Sequence, residues 1–304
     1  MKQFRPLAAF AALALALSLS ILPAGAMDVT TARGTVAVDG VPKTIAVYDM
    51  AALDTLDRLG IRPAGVPDKL YVPALEPIKA GATAVGTLFE PDLEALSALG
   101  PDLIIVGSRS AAKAEVTAKV APTIDMTIDG DDLFGEAKQR LAAYGDLFGK
   151  AQEAKAIAGE LDAKLAAARA AVAGKGKALI VMTNGPKVST YGPGSRFGWV
   201  HAALDLPPAI SEIETATHGE AVSFEFIREA NPDWLLVLDR AAAVGSSEQA
   251  ARVTLDNELV AATTAWKKGQ VVYLPAPDFY IAAGGVQSLE RVLATITEAF
   301  SAAK

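Results

Sequence analysis

The chain has 304 residues, 51% of them hydrophobic, with a formal net charge of −7 and no cysteine. That acidity argues against nucleic acid or anionic lipid as a partner, since both reward basic patches. Without cysteine there is no disulfide, no thiolate metal site and no thiol to carry a lipid.

The first residues, MKQFRPLAAFAALALALSLSILPAGAM, set Lys2 and Arg5 before a short apolar run and Ala24-Gly25-Ala26 after it. A basic start, a hydrophobic middle and an A-x-A ending describe a secretory signal peptide, residues 1–26, rather than a membrane span. No later segment approaches the roughly 20 apolar residues that a transmembrane helix requires. Cleavage after Ala26 is expected, giving a soluble, exported, non-lipidated protein of a bacterial periplasm. Removing 26 residues from 304 leaves 278, and losing Lys2 and Arg5 moves the charge from −7 to −9.

TIAVYDM (44–50) reads as a strand and AALDTLDRLG (51–60) as a helix closed by glycine. EPDLEALSALG reads as a helix and DLIIVGS as a strand. From Leu133 to Ala173 the chain is rich in Ala, Leu, Lys and Glu and has no proline. That composition predicts one or two helices, the last over about 151–173, stopped by Gly174-Lys175-Gly176. ALIVMT (178–183) then reads as a strand followed by a glycine-rich loop, SFEFIREA as a helix, WLLVLD (234–239) and VVYLPA (271–276) as strands, and SLERVLATITEAF as the closing helix. Strands alternating with helices predict an α/β protein of parallel sheets with helices packed on their faces. The expected partition is a leader over 1–26, an N-terminal lobe over 27–148, a linking helix over 149–174 and a C-terminal lobe over 175–304.

Two stretches repeat. PDLIIVGSR (101–109) and PDWLLVLDR (232–240) stand 131 positions apart, and at the same offset Glu94 maps onto Glu225 and Leu93 onto Phe224. Such a repeat predicts two similar Rossmann-like lobes. Ligands of open α/β sheets bind outside the carboxyl ends of the strands, which is where Arg109 and Arg240 fall, one per lobe. A third arginine, Arg196, sits in YGPGSRFGWVHAALDL (191–206), read as a loop at the carboxyl end of the strand ALIVMT. Three cations converging on a cleft repel one another by roughly 4 kcal/mol per close pair at an effective dielectric of about 20, so the cleft is read as built for a multiply charged anion. Arginine suits planar oxygen anions because its fork of donors binds them bidentately.

His218, in a Thr-His-Gly turn, and Tyr280, in PAPDFYIAAGG, are both placed on loops near strand ends. Imidazole and phenolate could complete the coordination of a hard ion such as Fe(III); plain surface polarity and packing under the loop are the alternative readings. His201 reads as a helix residue without a role. There is no G-x-S-x-G elbow, P-loop, HExxH or EF-hand loop, which favours a binding protein over an enzyme.

In VGTLFEPDLEAL, PDLIIVGSRS, APTID, YGPGSRFGW, HGEAVSFEFI, PDWLLVLDR and FYIAAGG, taken in order, the chain resembles the periplasmic ligand-binding proteins of ABC importers whose two lobes are joined by one long helix. Within that family it looks most like the binders of ferric catecholate and petrobactin-type siderophores. The resemblance implies a cleft between the lobes in which Arg109, Arg196 and Arg240 hold the ferric-siderophore anion, with His218 and Tyr280 filling open positions on iron. It implies Glu94 and Glu225 as docking points for an inner-membrane permease, and a monomer with no permanent cofactor, Fe(III) arriving as the siderophore complex. Relatives carry Leu-Pro-x-Tyr in the first lobe where this chain has LYVPA (70–74), so Tyr71 is a candidate pocket residue. Trp199 is a further candidate beside the cleft. Haem or cobalamin capture by the same transporter class is the alternative function, and an unrecognised carboxylate-pair hydrolase the more distant one.

Overall fold

The computed structural model describes residues 26–130, 132–213 and 219–303. The expected leader thus lies outside the described residues except for Ala26, and His218 lies outside them altogether. The chain opens on an antiparallel hairpin, β1 (Ala26–Thr31) with β2 (Gly34–Asp39). A parallel sheet follows, built from β3 (Ile45–Val47), β4 (Gly65–Val66), β5 (Thr83–Ala84), β6 (Leu103–Val106) and β7 (Thr123–Asp125) in the spatial order β5-β4-β3-β6-β7. Helices α1 (Met50–Arg58), α2 (Leu93–Leu99) and α3 (Ala114–Thr117) connect its strands. The predicted strand at 44–50 stops at Val47 because Asp49 turns the chain: its carboxylate accepts the Ala52 amide at 2.8 Å and caps α1.

Two helices without proline lead out of this lobe, α4 (Leu133–Leu147) and the 22-residue α5 (Ala151–Val172). The second sheet then forms from β8 (Ala178–Asn184), β9 (Lys187–Tyr191), β10 (Glu220–Val222), β11 (Trp234–Asp239) and β12 (Val271–Tyr273), ordered β10-β9-β8-β11-β12. It is mixed rather than wholly parallel. β8, β11 and β12 run parallel, whereas β9 and β10 are antiparallel additions. Its helices are α6 (Trp199–Leu204), α7 (Phe224–Ala230), α8 (Arg240–Val244), α9 (Ala251–Thr254), α10 (Glu258–Ala261), α11 (Thr264–Lys267) and α12 (Ala276–Tyr280), and α13 (Val286–Ala302) closes the chain. The predicted strand 271–276 ends at Tyr273, since Pro275 and Ala276 already begin α12.

The repeat extends into the capping chemistry. Asp92 caps α2 through the Glu94 and Ala95 amides, and Ser223 caps α7 through Phe226. Both helices end on a left-handed residue, Gly100 (φ 59°) and Asn231 (φ 38°). The central parallel strands of each sheet, β3 and β6 in the first and β8 and β11 in the second, are buried on both faces, as parallel strands covered by helices demand. One face of the first packs against α1, α4 and α5 around Leu53, Ile105, Leu141 and Ile157; the other gathers Tyr48, Leu96 and Ile104. The second sheet has Trp234, Leu236 and Phe300 on one side and Leu235, Val237 and Leu255 on the other.

The two lobes share more than a strut. Ile281, Ala282 and Val286, which follow the last strand of the second sheet, are built into the core of the first lobe. Where α13 meets α1, a buried ionic cluster joins them: Asp54 accepts from the Ser288 amide (2.9 Å) and from Arg291 Nη2 (2.6 Å), which also donates to Asp278 on α12 (2.6 Å). Among the described residues no helix is long and apolar enough to cross a membrane.

Candidate functional site

The site forms around Tyr280, the last residue of α12. Sequence analysis put Tyr280 on a loop; Pro277 at the start of a five-residue helix sets it instead on a short, fixed turn. The main-chain carbonyl of Tyr280 accepts Arg109 Nη2 at 2.7 Å and Arg196 Nη2 at 2.8 Å, and Arg109 Nη1 reaches the Ile281 carbonyl at 3.1 Å. The same two guanidinium groups stand over the ring, 5.1 Å (Arg109) and 4.7 Å (Arg196) from its centroid. Arg240 donates to its phenol oxygen from the opposite end, while its Nη1 donates to Asn184 Oδ1 at 3.0 Å. The structure therefore gathers all three predicted arginines about one tyrosine.

Their routes to that point differ from the predicted symmetry. Arg109 follows β6 and Arg240 follows β11, both at carboxyl ends of parallel strands. Arg196 does not follow a parallel strand. The chain after β8 turns through Gly185-Pro186 (φ 57° at the glycine) and returns as antiparallel β9, and the glycine-rich loop begins only after Tyr191. That loop folds tightly: Ser195 Oγ donates to the Gly192 carbonyl at 2.6 Å, and Phe197 anchors it by stacking on Phe279, centroids 4.7 Å apart.

Electrostatics follow from the crowding. Burial and the neighbouring Arg196 charge lower the Arg109 pKa, with Tyr280 and Asp49 opposing. Burial raises the Tyr280 phenol, but the Arg240 hydrogen bond and the charges of Arg196, Arg109 and Arg240 outweigh it, so its pKa lies below the ordinary value. Tyr191 is pushed by burial, and next by the Tyr280 charge, up to about 12 against the opposing charges of Arg196 and Arg240. Asp49, beneath Arg109, is pushed by burial up to about 6 despite its amide bonds and the Arg109 charge.

Arg196 and Tyr280 form a partition between two cavities. The larger, about 700 Å³, lies over β8 and β9 and adds Lys187, Glu225 and Arg240 to the wall. The smaller, about 510 Å³, opens toward the first lobe and is bounded by Arg109, Asp129, Leu133 and Trp199. Arg109 and Arg240 thus line different chambers. Trp199 is largely buried, edge-on to Phe134 with centroids 5.5 Å apart. Tyr71 lines neither chamber; it has left-handed φ (61°), and Lys69 Nζ stands 4.6 Å over its ring. That Lys69 also crosses to the second lobe, donating to the Val244 carbonyl at 2.8 Å. Glu94 is exposed at the N-terminus of α2, and Glu225 is exposed at the matching position of α7, on the rim of the larger chamber. His201 is buried, its Nδ1 2.9 Å from the Leu206 carbonyl.

Sequence reasoning missed Asn184 and Lys187, which pair across the Gly185-Pro186 turn, although a glycine opening a two-residue loop is a hairpin signal. Among the described residues, no group of three or more His, Asp or Glu side chains is arranged to hold a metal by itself. The arrangement gathers three cations about one phenol whose pKa lies below the ordinary value.

Two lobes, a shared cleft and converging arginines define a solute-binding protein. The chain belongs to the periplasmic binding protein family, whose profile matches residues 45–277. It is 33% identical over 261 residues to the petrobactin-binding protein YclQ of Bacillus subtilis, covering 84% of this chain and 82% of that protein. It is equally 33% identical over 274 residues to the ferric-anguibactin-binding protein FatB of Vibrio anguillarum, covering 88% and 85%. The crystal structure of YclQ superposes with a TM-score of 0.86 at 31% identity over 90% of this chain and 98% of that one. That of the catecholate-siderophore-binding protein VctP of Vibrio cholerae gives 0.83 at 31% over 90% and 99%. The family is one of carriers, not catalysts.

Proposed function

We propose that this chain captures an anionic ferric siderophore, of catecholate or petrobactin-like type, in the periplasm and delivers it to an inner-membrane ABC permease. The observation that carries the reading is the trio of guanidinium groups around Tyr280. A ferric catecholate complex is a compact multiply charged anion, and it relieves the repulsion among those cations. Relatives named for ferric siderophores support the same cargo.

In this reading Arg109, Arg196 and Arg240 bind the chelate, Trp199 borders it while Tyr71, outside both chambers, does not, and Tyr280 with His218 supplies oxygen and nitrogen to iron positions the chelator leaves open. Iron is cargo, not a resident cofactor. Glu94 and Glu225, 131 positions apart on equivalent first turns, dock the two lobes on the permease. Residues 1–26 are a cleaved leader, 27–148 and 175–304 the lobes, and 149–174 the strut. The protein acts as a monomer.

The test is a tryptophan-fluorescence titration against ferric chelates of differing charge and denticity, for wild type and Arg196→Ala. Anionic chelates should weaken most in the variant. Equal affinity for charged and neutral chelates refutes the reading, and a Soret band on adding haem with no response to ferric catecholates replaces it with haem capture.

A further inference from the structure

We infer that Arg33, at the tip of the N-terminal hairpin, is a positioning residue for Arg109: through Asp125 and Thr127 it fixes the backbone from which Arg109 enters the cleft. This rests on the ferric-chelate reading. The hairpin belongs to neither five-stranded sheet. Arg33 lines neither chamber, so it acts on the ligand only through other residues.

The two lobes aim their arginines by different means. In the second lobe the residue before Arg240 is Asp239, at an ordinary φ of −89°, and its own carboxylate accepts the Ala242 and Ala251 amides at 3.1 and 2.8 Å. At the matching place in the first lobe, 131 positions earlier, stands Ser108, with φ at 45°. A residue with a Cβ keeps that left-handed conformation only where its surroundings over-determine it. A relay of hydrogen bonds does so here. The Ser108 amide donates to Thr127 Oγ1 (2.8 Å), Thr127 Oγ1 donates to Asp125 Oδ1 (2.6 Å), and Asp125 Oδ2 accepts Arg33 Nε (2.8 Å). The Asp125 side chain is 5% exposed, and a carboxylate so buried is tolerated only when paired. Arg33 is its partner. Arg33 Nη2 meanwhile donates to the Ala111 carbonyl at 2.8 Å, two residues beyond Arg109 on the same 3-10 turn, Ser108–Lys113. One guanidinium thus holds the turn on both sides of Arg109. The Tyr280 and Ile281 carbonyls hold the other end of the side chain. If the ligand had to order that side chain itself, affinity would fall roughly two- to tenfold.

The test is a double-mutant cycle read by tryptophan fluorescence, with ferric enterobactin as the probe. Its hexadentate tris-catecholate fills every iron position, so direct ligation by Tyr280 or His218 drops out of the comparison. Arg33→Met keeps the aliphatic stem and loses every donor. It should weaken binding by a factor at least three times larger with Arg109 present than in Arg109→Met, where Arg196 and Arg240 still meet the trianion. A ratio below three overturns the inference, since a hairpin that merely stabilised the fold would weaken both backgrounds alike. Should Arg33→Met leave Asp125 unpaired and fail to fold, Arg33→Met combined with Asp125→Asn enters the same cycle and is judged by the same ratio. If wild type does not bind the probe, the ferric-chelate reading falls and the inference with it; if it binds and the ratio stays below three, only the inference falls.

Discussion

Replacing Arg291 by methionine takes the cation out of the cluster that joins α1, α12 and α13. Arg291 Nε and Nη2 reach Asp278 at 3.0 and 2.6 Å, and Nη2 reaches Asp54 at 2.6 Å. Those carboxylates are 7% and 0% exposed. Methionine keeps most of the aliphatic volume, so the loss is electrostatic, and breaking a buried pair from one side costs about 3–5 kcal/mol. At about 2 °C per kcal/mol for a chain of this size, Tm should fall by about 6–10 °C. The loss should also depend on pH. Burial pushes Asp54 up to about 6 from an ordinary 3.8, against the opposing Arg291 charge and the Ser288 hydrogen bonds. A raised carboxyl pKa stabilises the fold on the acid side, and that contribution, about 3 kcal/mol at 1.36 kcal/mol per pH unit, disappears as pH rises through about 6. Without Arg291 the Asp54 pKa climbs further, so the variant's deficit should be smaller at pH 5, where chiefly the Asp278 contacts are lost, and grow toward pH 8. Urea unfolding of both proteins at the two pH values, followed by tryptophan fluorescence, measures this. Asp49, also near 6, titrates in both proteins and cancels in the difference. A deficit below about 1 kcal/mol, or one flat with pH in which Asp54→Asn changes nothing, refutes the reasoning.

Tyr280→Phe keeps the ring beside Arg109 and Arg196 but removes the oxygen that Arg240 meets. It should weaken ferric bis-catecholates, which leave iron positions open, at least tenfold more than hexadentate tris-catecholates; equal losses in a titration would deny the phenolate its role. Gly65→Ala drives a Cβ to 2.6 Å from Leu99 and 3.2 Å from Ala46 and Val85 between β4 and its neighbours, an overpacking of about 1–3 kcal/mol visible in thermal melts, whereas an unchanged Tm would mean the strands spread freely. Glu94→Lys should leave chelate affinity within about twofold while cutting uptake into permease proteoliposomes at least tenfold; unimpaired uptake removes Glu94 from the docking surface. Sulfate should raise the Tm of the ligand-free wild type more than chloride does at equal ionic strength, through the arginine trio, and Arg196→Ala should lose that extra gain; a gain that persists shows the anion sits elsewhere.

Much of this fold was legible because its information is local or repeated. The 131-residue offset carries strand, cap and arginine together, so Pro101–Arg109 and Pro232–Arg240 announced two lobes, and the proline-free run from Leu133 announced helices. The misreadings have a common cause. α12 is five residues long, too short to display a helical period, and Pro277 within it, with Pro275, Gly284 and Gly285 around it, makes it look like loop. The β8–β9 hairpin was merged with the loop that follows because β9, KVSTY, is short and half polar. The buried cluster was invisible for another reason. In AALDTLDRLG, Asp54 looks like the solvated face of an amphipathic helix, and nothing nearby says that Arg291, 237 positions on, will meet it. A lone buried charge is intolerable, but its partner lies too far along the chain for any pattern to reveal.

The same distance separates a list of arginines from a binding site. Arg109 and Arg240 were read as equivalent, and in backbone terms they are, yet one is spent on main-chain carbonyls and the other on Asn184 and a phenol. The difference comes from α12, which belongs to neither repeat. By inserting Ile281 and Ala282 into the first lobe's core, it carries Tyr280 into the mouth of the cleft and presents two carbonyl oxygens to the cations there. Those carbonyls partly neutralise guanidinium groups that would otherwise drive the lobes apart at roughly 4 kcal/mol per close pair. They do so only partly, since the Arg109 pKa is still lowered, by burial first and by Arg196 next. An anion entering beside Tyr280 therefore meets cations whose geometry is already fixed and whose mutual repulsion is only partly relieved. That combination makes a preorganised site, with binding strength that comes as much from what the empty cleft endures as from what the full one gains.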